Sequence, residues 1–195
     1  DAFNNPVTAG GALAVTFTTQ FADGTIREAD IALNGVPAPG FAGWFTDFAA
    51  RDLYTADLAD TNDFFFVESV ALHEIGHLLG LNHSPAGGAT MLARSGRGVD
   101  AQAGLAADDL AAARFLYPAS APLTNLATLR GQVTKGGAGV FGAVVVVEDA
   151  AGNVLTATVT RDASGNYELP ALPAGNHVAR VTPLDPTGTS ALVVR

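Results

Sequence analysis

Three of the four histidines in this chain fall within the eleven residues HEIGHLLGLNH, from His73 to His83. On an α-helix His73 and His77 are one turn apart on the same face, so both imidazoles can reach one metal ion. Glu74 follows the first of them and is placed to hold a metal-bound water rather than the metal. The spacing therefore predicts a metal site with a carboxylate beside it.

His83 does not lie on that face of the same helix, because ten residues turn about 1000° at about 100° per residue. The chain must bend back, and Gly80 can take a left-handed conformation that ends the helix. His83 then returns as the third ligand. Three neutral nitrogens leave one position of a tetrahedral zinc open to water, as in catalytic rather than structural sites.

A catalytic Zn²⁺ lowers the pKa of its bound water towards about 7, and a nearby carboxylate can take that proton and pass it to a leaving amine. We therefore predict a zinc-dependent endopeptidase that hydrolyses protein substrates with one catalytic Zn²⁺ and with Glu74 as general base and acid. The alternative is a coincidental group of core or surface histidines.

The residues around the motif predict the helix that must carry it. Residues 61–81 predict a helix, with Asn62 or Asp63 as the N-cap and Gly80 as the stop. Its apolar positions recur at roughly helical spacing, at Phe66, Val70, Leu72, Ile75, Leu78 and Leu79.

The flanking segments predict further elements. Residues 11–25 indicate a strand that ends in an Asp-Gly turn, and residues 26–35 indicate a second strand closed by Asn-Gly. Residues 36–45 have two prolines and two glycines and predict a loop. An irregular, glycine-rich loop is expected at 84–104, and a second helix at 105–118 that ends at a proline.

The composition and the residue pattern of the sequence change after Pro118. A linker is predicted at 119–126, because residues 118–125 are rich in Pro, Ser and Ala. Beyond it, short β-type runs alternate with turn residues every 8–12 positions, which is typical of a small all-β sandwich. We therefore predict an α+β peptidase domain at 1–118 and a β-sandwich domain at 127–195.

Charge and composition exclude several classes of function. The net charge is −9, carried by residues 1–118, while residues 119–195 sum to zero. This acidity argues against binding nucleic acid. There is no cysteine, so the chain has no disulfide framework, no thiolate metal ligand and no thiol nucleophile. The sequence contains no run of about 18 apolar residues, so no membrane span is predicted.

HEIGHLLGLNH resembles the metzincin signature H-E-x-x-H-x-x-G-x-x-H, which a Met-turn follows. Met91, the only methionine, lies eight residues after His83, and by this resemblance it forms a hydrophobic floor under the metal. Its alternative role is that of a gap-filling core residue. The serine directly after the third histidine, Ser84, resembles the pattern of the matrixin branch of this family. The resemblance implies a twisted mixed sheet, an active-site helix and a C-terminal helix.

The segment LAADDLAAARFLY also resembles the matrixin C-terminal helix. By that resemblance Asp109, and less firmly Asp108, anchors the Met-turn or the N-terminal region. The alternative is that both carboxylates are favoured by the dipole of the helix N-terminus.

The chain departs from the family pattern in three ways. No histidine precedes His73, so the second, structural zinc of vertebrate matrixins is not expected. Leu92-Ala93 replaces the usual Tyr-Pro, which leaves the wall of the S1′ pocket undefined. The segment before the helix is short, and we expect one or two N-terminal elements of the family fold to be missing.

The C-terminal part is similar to the carboxypeptidase regulatory-like (transthyretin-like) sandwich in its D-x-x-G-x-Y turn and its L-P-x-G hairpin. The resemblance implies a spacer, or a module that contacts cell wall or matrix. Together the two resemblances imply a secreted, extracellular protein.

Other hypotheses stay open. The chain could be a non-catalytic adhesion protein that retains a zinc-bound scaffold, or hold structural zinc with Asp100 or His177 as a fourth ligand. Otherwise His177 is expected to be a surface or half-buried residue. Clustered carboxylates at Asp57–Asp63 could bind Ca²⁺, although a solvated loop with a helix cap is preferred. Trp44 and the run Phe64–Phe66 are expected in the core or the cleft wall.

Overall fold

The computed structural model describes residues 12–35, 41, 43–47, 49, 64–94, 102–118 and 125–183. The chain divides into two compact units, Asp1–Gly80 with Ser95–Gly104, and Leu81–Arg94 with Leu105–Arg195. The described ranges contain two α-helices and eleven strands. Neither helix in this part of the chain has the length and apolar character needed to span a bilayer.

The first unit contains the predicted strand–turn–strand. Strands β1 (Ala14–Gln20) and β2 (Ile26–Leu33) pair antiparallel. Gly24 takes a φ of +86° in the turn between them, a conformation that favours glycine. The Asp23 carboxylate accepts hydrogen bonds from the backbone N and the hydroxyl of Thr25, at 3.0 and 2.7 Å. These contacts fix the turn, and the two predicted strands are confirmed.

A short parallel pair precedes the motif helix. Strand β3 (Gly43–Phe45) pairs with β4 (Phe64–Phe66), so the predicted loop over 43–45 and the predicted helix over 64–66 are wrong. The aromatic residues override the local pattern because they pack across the pair, with the rings of Phe45 and Phe66 5.3 Å apart and both side chains buried. The suggested N-caps at 62 and 63 lie outside the described residues.

Helix α1 (Val67–Leu78) follows β4 directly and packs against β1 and β2. Its predicted apolar stripe is only partly buried, because Ile75 and Leu79 are 43% and 40% exposed. The buried residues of the helix are Val70 of that stripe and four small or polar residues, Ser69, His73, Glu74 and Gly76. Two residues of the histidine motif, His73 and Glu74, are therefore among the buried residues of this helix.

The second unit combines an irregular segment, a helix and several strands. Residues 81–94 contain no helix or named strand, and Ser84 and Leu92 form an isolated bridge. Helix α2 (Ala107–Leu116) lies within the range predicted for it. The strands are β5 (Leu126–Gln132), β6 (Thr134–Lys135), β7 (Ala138–Gly139), β8 (Val144–Glu148), β9 (Val154–Val159), β10 (Asn166–Pro173) and β11 (Val178–Thr182).

Strand β8 forms the centre of this unit. It pairs with β9 and β11 in a three-stranded sheet, while β10 pairs with β5. One core contains Val145 and Val147 with Leu169 and Leu172 of β10, so the two sheets share apolar residues. The other two valines of β8, Val144 and Val146, pack with Val159 in a second cluster. Burial on both faces explains the continuous valine run.

The D-x-x-G-x-Y motif forms a tight turn before β10. The Asp162 carboxylate accepts hydrogen bonds from the backbone N and the side-chain amide of Asn166, both at 3.0 Å. Gly165 has a φ of +76°, and a Cβ there would lie 2.2 Å from the carbonyl oxygen of Val133. The turn therefore requires glycine. The assignment to the carboxypeptidase regulatory-like sandwich and the boundaries at 118 and 127 stay predictions, and residues 119–124 lie outside the described ranges.

Candidate metal centre

The three histidines of the motif lie together. One ligand atom from each of His73, His77 and His83 is within 4.8 Å of the others, and His73 is buried while the other two are half-buried. The rings of His73 and His77 meet edge to face with centroids 4.7 Å apart. Among the described residues no fourth ligand joins this group; Asp100 lies outside them.

Local chain geometry produces this arrangement. Helix α1 places the first two histidines one turn apart, and the chain reverses where Gly80 has a φ of +88°. The Gly80 amide donates to the carbonyl oxygen of His77 at 2.9 Å, which closes the helix end. His83 follows three residues later.

The donor set fits a zinc ion. Zinc bonds to histidine nitrogen are about 2.0–2.1 Å long, so a tetrahedral ion needs its nitrogens about 3.3 Å apart. Nitrogens that already lie within 4.8 Å of one another reach this spacing by small side-chain rotations. Neutral imidazoles are ligands that zinc favours. Calcium, which takes oxygen ligands, has no support here, and the Asp57–Asp63 segment lies outside the described residues.

Glu74 is directed into the protein beside this group. Its side chain is 5% exposed, and its Oε2 accepts a hydrogen bond of 2.5 Å from the Thr16 hydroxyl on β1. The same hydroxyl lies 3.0 Å from the backbone carbonyl oxygen of Glu74. A buried carboxylate needs such a donor, because an unpaired one is costly to desolvate.

Asp109 holds the backbone around Met91. Both residues are 2% exposed. The Asp109 carboxylate accepts hydrogen bonds from the backbone N of Thr90 at 2.8 Å, of Met91 at 3.0 Å and of Ala106 at 2.8 Å. The bond to Ala106 caps helix α2, and the other two fix the turn that presents Met91. The contacts support the anchoring role predicted for Asp109 and also its position in the first turn.

Asp108 connects two other parts of the second unit. Its Oδ2 accepts a hydrogen bond of 2.5 Å from the Ser84 hydroxyl, and its Oδ1 accepts one of 2.7 Å from the backbone N of Ala157 on β9. The Ser84 oxygen in turn accepts from the backbone N of Ala86 at 2.9 Å. Burial raises the pKa of Asp108, against the opposing effect of hydrogen bonds from Ser84, Thr156 and Ala157.

This raised pKa predicts a pH-dependent effect of Asp108→Asn. The folded state binds a proton more tightly than the unfolded state, so the contribution of Asp108 to stability is full below its unfolded pKa of about 3.9 and is lost as pH rises through the folded pKa. Asn does not titrate. We therefore expect the stability of the variant, relative to wild type, to increase with pH across this window, measured by denaturant unfolding in chelator from pH 3 to 8.

Asp162→Asn is the matched control, because hydrogen bonds from Asn166 lower the pKa of this exposed aspartate. A lowered pKa reverses the sign: its stability contribution is present above the unfolded pKa and is lost as pH falls. The relative stability of Asp162→Asn should therefore decrease as pH rises. A decrease for Asp108→Asn as well would contradict the effect of burial on Asp108.

Three clustered imidazoles with a buried carboxylate next to the first are the kind of site that zinc metallopeptidases use. A comparison with protein families agrees: residues 14–118, more than half of the chain, match the family described as Matrixin. The chain therefore belongs to the matrixin family, which is zinc-dependent, and the match indicates the metzincin fold. No curated protein and no solved structure matches the chain.

Two contacts were not predicted from the sequence. Thr16 reaches Glu74 across 58 positions, and Asp108 reaches Ala157 across 49. Strand alternation places Thr16 on one face of β1, but nothing in the sequence indicates that this face meets the glutamate. His177 is half-buried, with its Nε2 2.7 Å from the carbonyl oxygen of Pro173, and is absent from the metal-ligand group.

Proposed function

We propose that this protein is an extracellular endopeptidase that hydrolyses internal peptide bonds of proteins, with Glu74 as general base and acid. The observation that supports this most strongly is the group of three histidine nitrogens within 4.8 Å, next to a buried glutamate in the same helix. Family membership supports metallopeptidase activity. Matrixins are often secreted, which supports the extracellular location.

Each residue has a separate role in the proposed reaction. His73, His77 and His83 hold the ion, and Met91 is assigned the role of hydrophobic floor that the family resemblance implies. Zinc, when bound, supplies a Lewis acid that polarises the scissile carbonyl and increases the acidity of water. The Glu74 carboxylate takes a proton from the attacking water and donates it to the leaving amine. Burial of Glu74 keeps its carboxylate in a fixed position.

Strand β1 is the proposed docking element for substrate. Within the described residues β1 pairs with β2 along one edge, and it packs against helix α1, which carries Glu74. An extended peptide can add to the other edge through main-chain hydrogen bonds, as in β-augmentation. We further propose that residues 127–195 serve as a spacer or as a contact to cell wall or matrix.

The proposed function is tested by metal analysis combined with proteolysis. The purified full chain should bind about one zinc, cleave casein, lose cleavage in excess chelator and regain it when zinc is restored. His83→Ala should lose the zinc, while His177→Ala, a histidine outside the group, should keep it. A zinc-loaded wild type that cleaves neither casein nor a peptide library would overturn the proposal and favour a non-catalytic adhesion protein.

A further inference from the structure

The hydrogen-bond donor to the Glu74 side chain comes from a different element of the fold. The Thr16 hydroxyl, on β1, donates to Glu74 Oε2 at 2.5 Å. Thr16 is half-buried, whereas Thr18, two positions along the same strand, is exposed. β1 therefore presents one shielded hydroxyl to the carboxylate, and the strand and helix α1 are joined at this point.

A fixed carboxylate suits proton transfer better than a mobile one. A glutamate side chain has several rotatable bonds, and ordering it costs conformational entropy. A general base must also lie within hydrogen-bond reach of the proton that it takes. A charge-assisted hydrogen bond to Oε2 fixes the plane of the carboxylate and leaves Oε1 as the oxygen that exchanges the proton.

We propose that Thr16 is a positioning residue that orients the Glu74 carboxylate for proton transfer. This inference rests on the proposed function. The Thr16 hydroxyl acts through the Glu74 carboxylate, whose Oε2 it contacts. Because Thr16 belongs to the strand proposed to bind substrate, its hydrogen bond also fixes the distance between the docking element and the general base.

The activity test removes only the hydroxyl. Thr16→Val keeps the branched shape, and it should lower kcat about ten-fold, because small misplacements of a catalytic group are costly, with KM changed by less than about two-fold. Thr16→Ser restores the donor and should stay within about three-fold of wild type. Thr134→Val, the same change at an exposed position of strand β6, should leave both constants unchanged, and all variants should bind about one zinc.

A second readout does not depend on activity. In chelator, Thr16→Val should lower the Tm of the zinc-free protein by about 3–6 °C, as expected for a lost hydrogen bond to a charged group in a chain of this size. In a Glu74→Ala background the same substitution should change Tm by less than about 1 °C, because the acceptor is absent. This cycle isolates the Thr16–Glu74 interaction.

The outcomes distinguish this inference from the proposed function. A wild type whose cleavage depends on Glu74, together with unchanged kcat in Thr16→Val, would overturn the positioning role alone. Equal Tm losses in both backgrounds would overturn the hydrogen bond itself. A zinc-loaded wild type without cleavage would overturn the proposed function, and the positioning role with it. A kcat loss that Thr16→Ser rescues would establish the role.

Discussion

Glu74→Gln is expected to lower kcat for casein or peptide cleavage by about 10²–10⁴-fold, the range for loss of a general acid–base group. Gln has the same shape and can still accept the hydrogen bond from Thr16, but it cannot take a proton at neutral pH. The three histidines are unchanged, so the variant should still bind about one zinc. Steady-state kinetics and metal analysis of the same preparation measure both effects.

Glu68→Gln is the matched control for this experiment. Glu68 lies in the first turn of the same helix and is exposed, so the same chemical change there removes a negative charge without touching the proposed base. Its kcat should remain within about two-fold of wild type. If Glu74→Gln cleaved as fast as Glu68→Gln, Glu74 would not be the general base, whatever the zinc content.

Short-range features of this site were predictable from the sequence. The spacing of His73 and His77 is a consequence of helix geometry, which any sequence of that length in a helix must obey. The reversal at Gly80 depends on one residue that tolerates a positive φ. The first prediction involves two residues four positions apart, and the second involves a single chain reversal. Local backbone geometry decides both.

Pairings between distant segments were not predictable in the same way. Phe66 has helical spacing with the apolar residues that follow, but pairing with Gly43–Phe45 makes Phe64–Phe66 a strand. Nothing local to residues 61–66 shows that a partner strand is available. Tertiary packing therefore overrides propensity at the start of the helix, and the boundary moves to Val67.

The sequence pattern also does not predict which residues of α1 are buried. Helical periodicity predicts that apolar residues face the core, yet Ile75 and Leu79 are exposed while Glu74 is buried. A polar residue takes a buried position only where a partner satisfies it, and here that partner is Thr16. A single sequence does not display such partners, because they come from another element.

Asp109→Ala is expected to lower the free energy of unfolding by about 3–5 kcal/mol, the range for breaking a buried charged interaction. The substitution removes the acceptor of three backbone N–H groups, of which those of Thr90 and Met91 belong to buried residues. Water does not reach these two groups without local opening. Denaturant unfolding in chelator measures the loss without a contribution from zinc binding.

Asp149→Ala separates the effect of burial from the number of hydrogen bonds. Like Asp109, the exposed Asp149 carboxylate accepts three hydrogen bonds, from the backbone N of Ala151 and of Asn153 and from the side-chain amide of Asn153, each at 2.8 Å, but solvent can replace it. Its loss should therefore be much smaller than that for Asp109→Ala. Equal losses would mean that the bonds themselves, rather than the desolvated N–H groups left behind, determine the cost. A larger loss at Asp109 means that the Met91 turn depends on a buried acceptor supplied by helix α2, so the floor proposed beneath the zinc is stable only when that helix is folded.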